Sequence, residues 1–368
     1  AKSVLFGFDI HKSTKTDLFI DLTPFLMQDP HGVTDRLEKR GEGTFKVDKN
    51  RSAIFLDRTK NFPKNSEFDV MLTFSGNPTG KLLQTVTPSP KSVTVHQHHS
   101  FVKLPDKNYT PRKFDPRSGA NGFHFFDYST PVNESTKKTY VVRHRLKKKD
   151  PSESISEAVE PIIYYLDNGT PEPVRSALIE GGMWWNQAFE NAGYKNAFRI
   201  EILPEDADPL DVRYNVIQWI HRSTRGWSYG SSVVDPRSGE IIKGHVSLGS
   251  LRIRQDFMIA QSLSKDPYKY NDTNDLDMLN MSINRIKQLY AHEMGHTLGF
   301  AHNFSSSTNN RESVMDYPHP LIELVNGEIK FDNAYDEGIG EWDKTSVLYS
   351  YQDFSAEQNE QNLSLIHI

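Results

Sequence analysis

Cysteine is missing from all 368 residues. Disulfides, thiol nucleophiles and thiolate metal ligands are therefore excluded together, although the absence names no compartment. Long apolar runs are missing too, and none approaches the ~20 residues a helix needs to cross a bilayer. There is no basic excess: the formal net charge is −5, so nothing in the charge balance points to a nucleic-acid partner. What remains, with 36% hydrophobic and 25% charged residues, is the composition of an ordinary globular protein. A chain of this length has room for two or more domains, each with its own core.

Without thiolates, a metal site must be built from histidine and carboxylate. The string His292-Glu293-Met294-Gly295-His296-Thr297-Leu298-Gly299-Phe300-Ala301-His302 has the spacing H-E-x-x-H-x-x-G-x-x-H. On a helix His292 and His296 lie one turn apart and leave the same face, so both imidazoles can share one Zn²⁺. Glu293 projects beside them, in reach of a water's proton. A continuing helix would carry His302 off that face and ~15 Å along the axis. It reaches the metal only if the helix stops and the chain turns back, and Gly299 is the residue that permits the left-handed turn. Three histidines with an open fourth position are the catalytic zinc pattern, not the structural one. Downstream, Ser313-Val314-Met315-Asp316-Tyr317-Pro318 has the form of a methionine turn.

With these two strings the chain resembles the metzincin-type zinc endopeptidases, and more closely the large secreted bacterial zinc-dependent metalloproteases. The resemblance rests on residues 291–303 and 313–320 and extends to 164–167, 171–193, 211–230 and 239–255. It implies that His292, His296 and His302 bind Zn²⁺, that Glu293 is the general base and that Met315 is the turn methionine. Tyr317 matches a tyrosine that contacts metal or substrate in some branches of the family. A protein or peptide substrate and a secreted, periplasmic or outer-surface location follow from the same resemblance. So does an antiparallel edge strand above the zinc, a place that residues 240–249 occupy in the order of elements.

The expected fold class is α+β. Residues 1–150 read as a β-rich domain of unassigned role, a sandwich or rolled sheet. Phe68, Val70, Leu72 and Phe74 alternate with Asp69, Met71 and Thr73, and similar short runs include 53–56, 81–86, 93–101 and 139–146. A charged Pro/Ser segment at 147–154 is the linker candidate. Residues 156–360 read as a metzincin-like catalytic domain, truncated at its C-terminus: a twisted mixed sheet packed on an N-terminal helix and on the zinc-binding helix. The first helix is expected from Pro171 to Gly193, with Trp184 and Trp185 in the core, and the zinc helix from near Asp277 to Leu298. Gly295 inside that helix costs ~1 kcal/mol in propensity, for which close packing beneath the zinc is the expected reason. The chain opens at Ala1, not methionine, as a processed or internal fragment would. Residues 361–368 are expected to be a non-native tail, so His367 is not counted as a ligand.

Other histidines are weaker candidates. His96 and His98 share a strand face near His99, but a second metal site there needs a further ligand from elsewhere. His221 and His245 read as strand histidines, and His319 as a loop residue close behind the methionine turn. Asp266, Asp272, Asp275 and Asp277 lack the spacing and glycine of a calcium loop. Three functions compete: a zinc endopeptidase, a zinc hydrolase of a non-peptide acyl bond, and a non-catalytic envelope-binding protein that retains a zinc. Glu293 argues against the last, because a residue that is not a ligand has no structural need to be there.

Overall fold

The computed structural model describes residues 6–222, 227–264, 267–268 and 272–353. The expected tail over 361–368 and Asp266 lie outside these residues. Contacts divide the chain into two compact units, residues 1–103 and 104–368. The segment 104–149, upstream of the linker candidate, thus packs with the second unit.

The first unit is built round one long strand, Asn65–Pro78. It pairs antiparallel with Ser92–Val102 and, in succession, with Gly43–Val47, Ala53–Ile54 and Lys60–Asn61. The result is a single five-stranded sheet, not a sandwich. Alternation sends Val70, Leu72 and Phe74 into a core with Leu26, Phe45 and Leu83. One expected strand is a helix, Lys81–Val86. Its Lys-Leu-Leu-Gln start is a run of good helix formers. The Glu42 carboxylate accepts the Leu83 N–H at 3.0 Å, satisfying a first-turn donor from a distant point in the sequence.

The second unit holds a parallel sheet in the order Arg143–His144, Glu240–Gly249, Asn215–Ile220, Ile162–Leu166, Phe198–Ile202. Tyr229–Val234 joins antiparallel to Glu240–Gly249. The expected edge strand is therefore corrected by one place. Residues 240–249 are interior, paired on both sides, and only three of their ten residues escape full burial. Tyr229–Val234 is the edge, with every second residue exposed as a half-buried strand requires.

Two helices cover the sheet. Val174–Asn191 starts three residues later than expected, because Pro173 drives the residue before it out of the helical region. Its apolar stripe buries Ala177, Leu178, Trp184, Trp185, Ala188 and Phe189. Against it lies the long helix Asp272–Thr297, which begins five residues earlier than expected. Ile286 and Tyr290 face the common core. Leu279 and Ile283 are only half-buried, and Met278 and Met281 take the inner positions in a second cluster with Ala260. Trp185 joins the two helices: its ring is fully buried, stacks on Phe300 at 5.3 Å, and donates Nε1–H to Ala291 O at 2.8 Å. Trp185→Ala should therefore lower the unfolding free energy by ~3–5 kcal/mol, the range for emptying a large aromatic site. Urea denaturation measures it, and a loss under ~1 kcal/mol would mean the two helices hold together without this ring.

Candidate metal centre and active site

The long helix ends where the sequence demands it. Gly299 has φ +99, and its N–H bonds to His296 O at 3.1 Å while Phe300 N–H bonds to Gly295 O at 2.9 Å. That pair of bonds is the Schellman closure, with glycine in the left-handed position. A Cβ on Gly299 would overlap the Val142 carbonyl, so strain and space both select glycine. Carbonyls left over at the helix end are taken by buried side chains. Thr297 O accepts from Tyr164 Oη at 3.1 Å and Ser232 Oγ at 3.2 Å, and Leu298 O from Tyr351 Oη at 2.6 Å. His144, fully buried and pushed down to about 4 by desolvation, stands 3.0 Å from Tyr164 Oη and 3.2 Å from Thr297 O.

The reversal brings His302 back to the helix. His302 Nε2 lies 3.1 Å from His296 Nε2, and the ligand nitrogens of His292, His296 and His302 all fall within 4.8 Å of one another. Among the described residues no other group of three histidine or carboxylate side chains is gathered this way. Ring orientation fits a metal. His292 Nδ1 is 2.9 Å from Val314 O, and His296 Nδ1 is 2.9 Å from Phe300 O. Those carbonyls hold the protons on Nδ1 and leave the Nε2 lone pairs facing inward. Nitrogens bound tetrahedrally at ~2.0–2.1 Å stand roughly 3.3 Å apart, close to the 3.1 Å between His296 and His302. The donor set and its second layer fit Zn²⁺.

The methionine turn lies beneath. Met315 is buried, and a Cβ on Gly295 would overlap its sulfur and the Trp185 ring, which is the close packing expected for that glycine. Asp343, on the helix Glu341–Tyr351 and 1% exposed, fixes the turn. It accepts from Ser313 Oγ at 2.6 Å, Val314 N–H at 2.8 Å and Gly340 N–H at 3.1 Å. Burial nevertheless pushes its carboxyl up to about 6. Tyr317 leaves the turn toward the rim: it is 56% exposed, with Oη 2.7 Å from His302 Nε2.

Glu293 is 7% exposed, and burial pushes its carboxyl up to about 7, with the facing Gly230 N–H pulling the other way. Gly230 belongs to the edge strand, so that strand touches the site directly. A cleft of about 510 Å³ opens above, lined by the strand, Glu293, His296, His302 and Tyr317. Asn121 and Val142 line it too.

Those last two come from a region whose role the sequence left open. Asn121 N–H donates to Gly299 O at 2.7 Å, its Nδ2 to Phe300 O at 3.2 Å, and Ala301 N–H to Gly119 O at 2.9 Å. Segment 104–149 thus grips the loop that carries His302. Gly119 closes one of two Asp-Pro-Arg-Ser-Gly strings, and both fold as the same turn. Arg117 N–H bonds to Asp115 Oδ1 at 2.9 Å, and Arg237 N–H to Asp235 Oδ1 at 2.8 Å.

The weaker candidates sit elsewhere. His96 and His98 pair with buried carboxylates, Nδ1 to Asp69 Oδ1 and Nε2 to Glu67 Oε2, each at 2.6 Å. His99 rests against Phe25 and His31, His245 stacks on Tyr229, and His221 bonds to Ser250 Oγ. His319 is exposed after the turn, as is Asp277 near the start of the long helix.

Burial holds His292 down to about 3 against an ordinary 6.5. The unfolded chain takes up that proton first, so this group's contribution to metal-free stability is whole above 6.5 and drains away as pH falls toward 3. Zinc should leave over the same fall, because each ligand nitrogen binds only when deprotonated. Metal analysis should find one zinc per chain near neutral pH and little in mild acid. His302→Ala should bind far less zinc, and an undiminished content would break the link between the Gly299 turn and the metal.

Comparison with known families matches two separate parts of the chain. Residues 1–149 match a family described as a domain of unknown function (DUF5117). No curated protein matches the chain. Residues 274–366 carry the three histidines and the methionine turn, and match the family described as Met-zincin. Over these residues the chain is thus similar to the Met-zincins, and its three-histidine cluster fits their zinc motif.

Proposed function

We propose that the protein is a zinc-dependent endopeptidase in which Glu293 is the general base. The observation that carries the reading is a buried carboxylate beside three convergent imidazoles, facing the backbone of an exposed edge strand. Zinc bound there supplies Lewis-acid polarisation of a carbonyl and an acidified water near neutral pH. An extended peptide adds to Tyr229–Val234 by main-chain pairing and lies across the cleft. Glu293 takes the attacking water's proton on a carboxylate oxygen and passes it to the leaving amine. A carboxyl near 7 suits both halves of that transfer. The Tyr317 hydroxyl, at the rim beside His302, donates to the oxyanion as it develops.

The polypeptide-binding edge favours a peptide over a smaller acyl substrate. Digestion of an unstructured protein such as casein by the zinc-loaded chain tests this, and hydrolysis of small esters without any proteolysis would replace it with the non-peptide reading. Glu293→Gln should keep its zinc and lose roughly 10²–10⁴-fold in rate. A variant hydrolysing near the parent rate would remove Glu293 from the mechanism.

Tyr317→Phe should leave zinc content and folding unchanged, move KM little and lower kcat, the signature of a bond made only in the transition state. Loss of one oxyanion donor typically costs ~2.7–4 kcal/mol. Unchanged kcat would reduce Tyr317 to a packing residue at the rim.

A further inference from the structure

Resting on the endopeptidase reading, we infer that the enzyme selects substrates with an acidic side chain next to the scissile bond, held by Arg222 in a cavity beside Glu293. The cavity measures about 500 Å³, with Glu293 and Leu289 on one side and Arg222, Trp227, Gly249 and Arg252 on the others. That volume holds a side chain together with ordered water.

Arg222 follows the strand Asn215–Ile220 and lies across the end of Glu240–Gly249. Its Nη1 donates to Trp227 O at 3.1 Å, and its Nη2 to Ser247 Oγ at 3.2 Å. A Cβ built on Gly249 would stand 3.5 Å from Nη1, which places the guanidinium over the cavity wall. Both acceptors are neutral, and among the described residues Arg222 forms no ion pair.

Its neighbours are matched. Arg252 is held bidentately by Asp256, at 3.0 Å and 2.7 Å. Behind them the half-buried Arg285 faces Asp256 and Glu293. Three guanidiniums therefore meet two carboxylates, and the surplus positive charge belongs to Arg222. Two of its N–H groups are used, which leaves donors in the planar fork that matches a carboxylate.

Position along the substrate follows from the strand. Tyr229–Val234 starts two residues after Trp227, and its Gly230 faces Glu293. A peptide paired to that strand with its scissile bond at Glu293 passes the cavity mouth with the adjoining side chain. Trp227, 76% exposed at the rim, offers an apolar face to the stem of that side chain.

The test uses the zinc-loaded full chain and a library of unstructured peptides, with cleavage sites read by mass spectrometry. The parent should cut with Asp or Glu enriched at one position flanking the bond. Arg222→Gln should flatten that enrichment and lower kcat/KM on acidic substrates roughly 10- to 100-fold, mostly through KM. Arg222→Lys should restore part of it. Arg222→Glu should move the enrichment toward Lys and Arg, a gain that misfolding cannot produce, with zinc content measured alongside. Cleavage by the parent without acidic enrichment overturns the assignment and leaves the endopeptidase reading standing. So does a profile unchanged in both Arg222→Gln and Arg222→Glu. No cleavage of any peptide by the zinc-loaded parent overturns both.

Discussion

Gly299 sits at φ +99 with its α-carbon against the Val142 carbonyl, and the third metal ligand hangs on that turn. A helix can place two histidines on one face by itself, but the third must arrive from outside the helix. The chain meets the requirement by stopping the helix hard. Schellman bonds close the last turn, and Tyr164, Ser232 and Tyr351 occupy the carbonyls beyond them. These partners come from three elements far apart in sequence. The helix end is therefore fixed to two strands of the sheet and to the helix Glu341–Tyr351, and the ligand geometry inherits the rigidity of the fold.

The same logic extends upstream. Asn121 and Gly119 bond to the backbone of residues 299–301, the path between the second and third ligands. Residues 104–149 thus belong physically to the metal centre, although the family matching them also covers the separate sheet of residues 1–103. A segment with no chemical motif contributes by supplying hydrogen bonds to a loop that has no regular structure of its own. A loop secured this way keeps its ligand in place without the metal, so less ordering entropy is lost when the metal binds.

Much of this was legible because spacing encodes geometry. The interval between His292 and His296 is a helical turn, and Gly299 before His302 is a stop and reversal, so the ligand set could be read without coordinates. Gly295 was also interpretable, since a glycine in mid-helix has a cost that only close packing explains. Asp343 was not legible. It lies 30 residues from Ser313, and nothing in Glu341-Trp342-Asp343 distinguishes a buried turn anchor from a first-turn helix acid. The edge strand was misplaced by one because Tyr229–Val234 and Glu240–Gly249 are consecutive β runs. Pairing partners, which alternation does not reveal, decide which one is interior. The helix Lys81–Val86 was missed for a similar reason, its first turn being completed by Glu42 from another part of the chain.

The site joins two unlike environments, and its chemistry depends on the boundary between them. Below the histidines, Met315, Trp185 and Phe300 form a buried apolar floor. Above them the cleft is open and polar, bordered by serines, Asn121 and the Tyr317 hydroxyl. Glu293 stands at the junction. The floor side raises its carboxyl by excluding water, while the Gly230 N–H and Arg285 draw it back. Stronger burial would keep the group protonated and useless as a base, and fuller solvation would leave it too weak to hold a proton. The exposed edge strand also tunes this balance, because Gly230 belongs to it.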